Sequence, residues 1–397
     1  MPPSNSTKSS ALNFKLTKAS TLLDLFRGLA AVLVLVEHWR NMLFVDYSQL
    51  EHRHLFMMLP YIVSGAGHQA VIIFFILSGY LISGTIFRSL RSQRWSWASY
   101  LTHRLVRLWV VLLPGLALCA VWDFLAIHLR LAPALYAGLV DNHEIPNVTA
   151  TLTLKNLIGN VFFLQTIAVP VFGSDQALWS LANEFWYYLL FPLVLLSFRR
   201  RTPNLERGLY VVIFIGVAWL VKGSILALFP VWLLGVLLAR VKPPLLTSKV
   251  RNGMLICYIP MVFILAKVHL HSPLLDDYLF ATLTFIAIWV LLADTTYEPQ
   301  NSTLNRWSRE LAKFSYTLYV VHMPFCLFLT ATVVGGQRWV PNVVNATKGL
   351  AILMVTAGYA YAIGLLTEAH TDSIRKWIEK KLNLGTMPSS SQSNVRS

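Results

Sequence analysis

Arg27 and His38 lie eleven residues apart in the first apolar run of this chain, which opens Leu23-Asp24-Leu25-Phe26-Arg27-Gly28. On a helix that spacing turns the chain about 20° past three full turns and raises it about 16 Å, so the two side chains share one face. With Arg27 at the cytoplasmic edge, His38 falls near mid-bilayer. An ionisable group there is costly, and mid-membrane histidines serve proton paths or catalysis. The plainer account is a core imidazole bonded to a neighbouring helix. Asp24 can pair with Arg27 one turn away, and a snorkelling, paired arginine is the plainer account of Arg27.

Four further groups could take part in chemistry. His322, in Ser315-Tyr316-Thr317-Leu318-Tyr319-Val320-Val321-His322-Met323-Pro324, is a second mid-span histidine, and Pro324 interrupts the local hydrogen-bond ladder. Glu184 sits about two turns inside Leu178–Tyr188; an interfacial aromatic belt explains Trp179, Trp186, Tyr187 and Tyr188 there, but not the carboxylate. Arg104 and Arg107 are adjacent on one helix face and suit a diphosphate, or equally a lipid headgroup. Ser78-Gly79, inside Phe74–Leu81, allows close approach of a ligand or a helix, and the residues alone favour ordinary small-residue packing. Glu368, at the inner end of the last span, reads as a structural ion-pair partner.

The elements that must position these groups are membrane helices. The chain has 397 residues, 56% hydrophobic and 13% charged, against about 25% charged in soluble domains. The expected fold is an all-α polytopic bundle with ten spans near 22–42, 68–88, 105–127, 178–198, 208–222, 224–240, 252–270, 277–294, 312–333 and 346–368. The polar start and the charged residues of the first run argue for a retained span, with no cleavable leader. The net charge of +15 sits in short loops beside apolar runs, which follows the positive-inside rule and argues against a nucleic-acid partner. The piece 157–171 is ambiguous. If it does not cross, 25 of the 33 basic residues fall on one side, with both termini cytoplasmic.

Three regions follow: a cytoplasmic segment 1–21, a membrane domain 22–370, and a cytoplasmic tail 371–397, Ser-rich and expected to be disordered at its end. The external loop of about 128–177 carries His143, Glu144 and Asp175 and is the candidate lid or acceptor-facing surface. Cys119, Cys257 and Cys326 lie in apolar segments and read as buried thiols, not as a disulfide framework or metal site.

Four strings together resemble acyltransferase family 3, integral membrane O-acyltransferases of surface glycans and related acceptors. They are Leu23-Asp24-x-x-Arg27-Gly28 with His38; Phe74-Phe75-x-Leu77-Ser78-Gly79-Tyr80-Leu81; Trp179-Ser180-Leu181-x-x-Glu184-x-x-Tyr187; and Ser315-Tyr316-x-Leu318-Tyr319-x-x-His322-x-Pro324. Phe26 departs from the smaller aliphatic residue often found there, and the form expected is the stand-alone one, without a fused esterase-like domain. The resemblance implies transfer of an acyl group, usually acetyl from acetyl-CoA, to a hydroxyl. It marks Arg27 and His38 as essential and places Arg104 and Arg107 near the donor.

The expectation is therefore a multi-pass O-acetyltransferase of a bacterial inner membrane, set among membrane lipids. It uses acyl-CoA as co-substrate and a carbohydrate acceptor, with no bound cofactor or metal. His38, Arg27, Glu184 and His322 would be catalytic, and Arg104, Arg107, Ser78 and Gly79 would line the donor site. Ser78 or amides near Gly79 would hold the oxyanion. The competing reading is a proton-coupled exporter of a sugar or lipid-linked sugar, relaying through His38, Glu184 and His322. The absence of an internal repeat argues against it.

Overall fold

A computed structural model describes residues 17–51, 55–140, 144–267 and 272–382. The Ser-rich tail, His143 and most of segment 1–21 lie outside the described residues. Within them the helices are α1 (Lys18–Leu43), α2 (Leu55–Val63), α3 (Gly67–Arg91), α4 (Trp97–His128), α5 (Pro133–Tyr136), α6 (Val148–Thr151), α7 (Leu154–Val161) and α8 (Leu178–Ser197). They continue as α9 (Asn204–Val221), α10 (Ser224–Leu238), α11 (Ser248–Leu265), α12 (Pro273–Leu291), α13 (Thr303–Val333), α14 (Val343–Leu366) and α15 (Thr371–Lys381). Local sequence sets the starts. Thr17, Ser96, Ser302 and Asn342 cap α1, α4, α13 and α14 by accepting a bond from the amide three residues on.

The protein is an all-α polytopic membrane protein. Each of the ten expected spans coincides with a helix, and among the described residues eight helical stretches are long and apolar enough to cross on their own. The other two are α8, which carries Asn183 and Glu184, and α10, which has 15 residues. Both are largely enclosed by neighbouring helices.

The centre is α1 laid along α13, with α3 and α4 beside them; α10 and α8 close the far side of α3. Gly28 lets α1 and α13 approach, since a Cβ there would come 2.5 Å from the Leu311 Cβ. The outward faces of α9, α11 and α14 expose Leu205, Val212, Trp219, Ile256, Ile264, Met354 and Leu366, the pattern of lipid-facing surfaces. Cys257 is exposed on α11, unlike the buried Cys119 and Cys326, so only two of the three thiols are core residues.

The ambiguous piece holds no helix long enough to cross. α7 is eight residues long, about 12 Å, and the chain then doubles back through Phe163 and Thr166, both at positive φ. Side chains of the surrounding helices satisfy its backbone. The Trp109 and Trp186 indole N–H groups donate to Val161 O (2.9 Å) and Phe163 O (2.8 Å), and Asn160 donates to Pro170 O (3.0 Å). Irregular backbone at membrane depth requires such enclosure.

Two helices exceed what a bilayer needs. α4 and α13 have 32 and 31 residues, about 47 Å each against a hydrocarbon layer of about 30 Å. Their surplus turns project at the arginine-rich end. There they meet α15, a short amphipathic helix that packs on α4, and together they wall a cavity.

Candidate active site

The cavity has a volume of about 750 Å³ and opens at the arginine-rich end. Asp24 and Arg27 of α1, Ser78 of α3, Arg104 and Arg107 of α4, and Glu184 of α8 line its inner part. Arg104 is 5% exposed and lies over two rings, with its guanidinium carbon 5.6 Å from the Tyr100 centroid and 5.9 Å from that of Tyr188. Its Nε is buried without a partner. Arg107, one turn on, is exposed to the cavity. Neither pairs with a carboxylate among the described residues. Arg27 Nη2 is instead held by Asp24 (3.4 Å) and the Ala312 carbonyl (3.3 Å).

Glu184 sits in a network that joins three helices. Ser78 Oγ donates to it at 2.8 Å, the Tyr188 hydroxyl also donates to it, and the Trp232 indole donates to Ser78 Oγ at 3.3 Å. The Ser78 hydroxyl proton is therefore committed to a carboxylate, which removes Ser78 as an oxyanion donor. Gly79 does not line the cavity. A Cβ there would meet Trp232 O at 2.1 Å, so its role is to let α3 cross α10. Glu368, expected in an ion pair, instead accepts from Thr317 N (3.1 Å) and Thr317 Oγ1 (2.9 Å).

The inner end of the cavity reaches Phe74, Ser180 and Tyr319. Tyr319 is locked: its hydroxyl lies 2.5 Å from Ser180 Oγ and donates to Ala177 O at 3.0 Å. Its ring packs edge-on against Phe74 (5.9 Å) and lies 6.4 Å from the His322 ring, which in turn lies 5.3 Å from His38. Neither histidine is on the cavity wall. One aromatic layer separates them from it.

His38 Nδ1 is 2.7 Å from Glu144 Oε2, and Asn41 Nδ2 donates to Glu144 Oε1 at 2.5 Å. A carboxylate only accepts, so Nδ1 is the donor, and Nε2 is the nitrogen that carries the lone pair whenever the ring is neutral. Burial alone would raise the Glu144 carboxyl, but the His38 hydrogen bond and charge, with the Asn41 bond, outweigh it and hold the group below the usual carboxylate range. His322 is fully buried. Its Nδ1 faces the Leu318 and Tyr319 carbonyls (2.9 and 3.0 Å), so that nitrogen is protonated too and Nε2 is left without a partner. Two imidazole rings thus lie 5.3 Å apart, one oriented by a carboxylate and the other with a buried, unpartnered Nε2.

The four sequence strings meet here. His38 touches the string of His322, the string of Ser78 bonds that of Glu184, and Ser180 bonds Tyr319. A family model described as an acyltransferase domain matches residues 21–366, nearly the whole chain. The chain belongs to acyltransferase family 3. It is a membrane acyltransferase. No curated protein and no solved structure matches it.

Within this acyltransferase the sequence did not pair Glu144 with His38; 106 residues separate them. The available signal was a carboxylate in a loop already marked as acceptor-facing. Phe74 and Tyr319 stand in the motif strings of the sequence without a role of their own, and it does not single out Arg309 or the α15 residues that line the cavity.

Proposed function

We propose that the protein transfers an acyl group, most simply acetyl, from cytosolic acyl-CoA to a hydroxyl of a carbohydrate at the opposite face of a bacterial inner membrane. The excess of basic residues at the cavity mouth supports a cytoplasmic donor side. The observation that carries the reading is a cavity lined by unpaired arginines that ends one aromatic layer short of a carboxylate-oriented histidine. Its volume suits a cofactor-sized ligand.

In this reading Arg104 and Arg107 hold the diphosphate, each charge-assisted bond contributing about 1.5–3 kcal/mol. The pantetheine arm runs up the cavity past Ser78 and Glu184 toward Tyr319. The acceptor approaches the His38–Glu144 side. His38 Nε2 takes the hydroxyl proton, the oxygen attacks the thioester carbonyl, and the C–S bond breaks as the C–O bond forms. The proton passes from His38 to the departing sulfur and leaves as the thiol of free CoA. Glu144 fixes the tautomer and offsets the charge on the imidazolium, the role of the acid in histidine-based triads. His322 supplies a second acceptor nitrogen beside it. The Phe74–Tyr319 layer must part for the thioester to arrive, so it keeps the donor from water until then.

Membranes containing the protein, given acetyl-labelled acetyl-CoA and a glycan extract, should move label into the glycan fraction and release free CoA in equal amount. Label that stays with CoA while the glycan is merely transported would overturn the reading.

A further inference from the structure

We infer that the cavity mouth holds a second anion subsite, formed by Arg309 of α13 and Arg375 of α15, that recognises the 3′-phosphate of the donor nucleotide. The inference rests on the acyl-CoA reading and names the part of the donor that the mouth selects.

CoA carries two separate anionic groups, a diphosphate on the 5′ side of its ribose and a monoester phosphate on the 3′ oxygen. The cavity has two separate sets of guanidinium groups. Arg104 and Arg107 are one turn apart and deep, close enough to serve one diphosphate. Arg309 lies ten residues before Tyr319 on α13, about 15 Å toward the mouth, and Arg375 enters from α15. Arg309 is exposed and pairs with no carboxylate among the described residues.

Arg375 is held in place without being used up. Its Nη1 lies 3.0 Å from Asp372, its Nε lies 3.9 Å from Glu379, and Glu379 itself bonds His103 of α4. Arg375 is 16% exposed and Asp372 70%. The Asp372 pair is therefore solvent-screened and weak, while Nε is buried with no hydrogen bond. With Nε enclosed, a doubly charged phosphate would be met by the Nη edge, in competition with the weak Asp372 contact. Lys313, also at the mouth, pairs with Glu310 at 2.5 Å in a contact as solvent-exposed as that of Asp372, but its point charge lacks the planar fork of the two arginines.

The test compares acetyl-CoA with 3′-dephospho-acetyl-CoA as donors for the full-length protein in lipid nanodiscs. The wild type should show a KM for the dephospho donor about tenfold or more above that for acetyl-CoA. Arg309→Gln and Arg375→Gln should each raise the acetyl-CoA KM toward the dephospho value and so shrink the difference, whereas Arg104→Gln should raise both. Arg309 is exposed and without an ion pair, so its variant cannot act by undocking α15. Equal use of the two donors by the wild type would overturn the inference. So would an equal KM rise for both donors in the two mouth variants, which would assign these arginines to a lipid headgroup. Transfer from neither donor would remove the acyl-CoA reading itself, and the inference with it.

Discussion

Glu144 Oε2 lies 2.7 Å from His38 Nδ1, so a residue of the segment between α5 and α6 orients a histidine within the first membrane helix. This contact ties the accessibility of the acceptor side to the protonation of the proposed base.

Glu144→Gln keeps the shape and removes the charge. It should lower kcat about 100-fold and leave the donor KM within twofold. Steady-state kinetics checks this; an unchanged kcat would show that the loop only packs.

The same pair sets a pH limit. The Glu144 carboxyl is held below its usual range, so its contribution is complete above the unfolded-state value, about pH 4.3. It is lost only as pH falls through the lower folded value. Hydrogen exchange of residues 144–148 should therefore stay protected from pH 7 down to about pH 5. Loss of protection near pH 6 would contradict the assignment.

Ser78 and Gly79, neighbours in sequence, should separate experimentally. Ser78→Ala removes one bond to Glu184 and should cost about 1 kcal/mol of stability with only a small change in kcat. Gly79→Val forces side-chain atoms into Trp232 O, where even a Cβ would sit at 2.1 Å. It should cost about 3 kcal/mol or more, read as reduced accumulation and a lower Tm. A large kcat loss in Ser78→Ala at normal stability would restore Ser78 to the chemistry.

The Phe74–Tyr319 layer makes its own prediction. Phe74→Leu thins the partition between the cavity and His38 and should raise acceptor-independent release of CoA, measured as free thiol. No rise would mean that the thioester reaches the histidine by another route.

Much of the scaffold was legible because membrane helices announce themselves: a long apolar run has few other uses, and loop arginines mark its ends. The piece 157–171, which the charge logic keeps from crossing, holds only part of the eight-residue α7, and the turn at Phe163 was not readable. Arg27 and His38 both fall on α1, where the sequence places them. What stayed hidden depends on contacts between distant segments. Nothing local tells Glu144 that His38 is its neighbour, and nothing in Ser78 reveals that Glu184 consumes its proton. For Gly79 the residues alone favour helix packing and the resemblance suggests the donor site, because close packing of a helix and of a ligand require the same missing side chain. α15 was read as part of a tail, since eleven residues with a polar face give no signal of the cavity they cover.

The most direct test of the account measures CoA binding and acetyl transfer on one preparation of His38→Ala. The account predicts unchanged CoA affinity, because the cavity wall does not include His38, and transfer reduced at least about 100-fold. Transfer at the wild-type rate by a correctly inserted His38→Ala protein would contradict it.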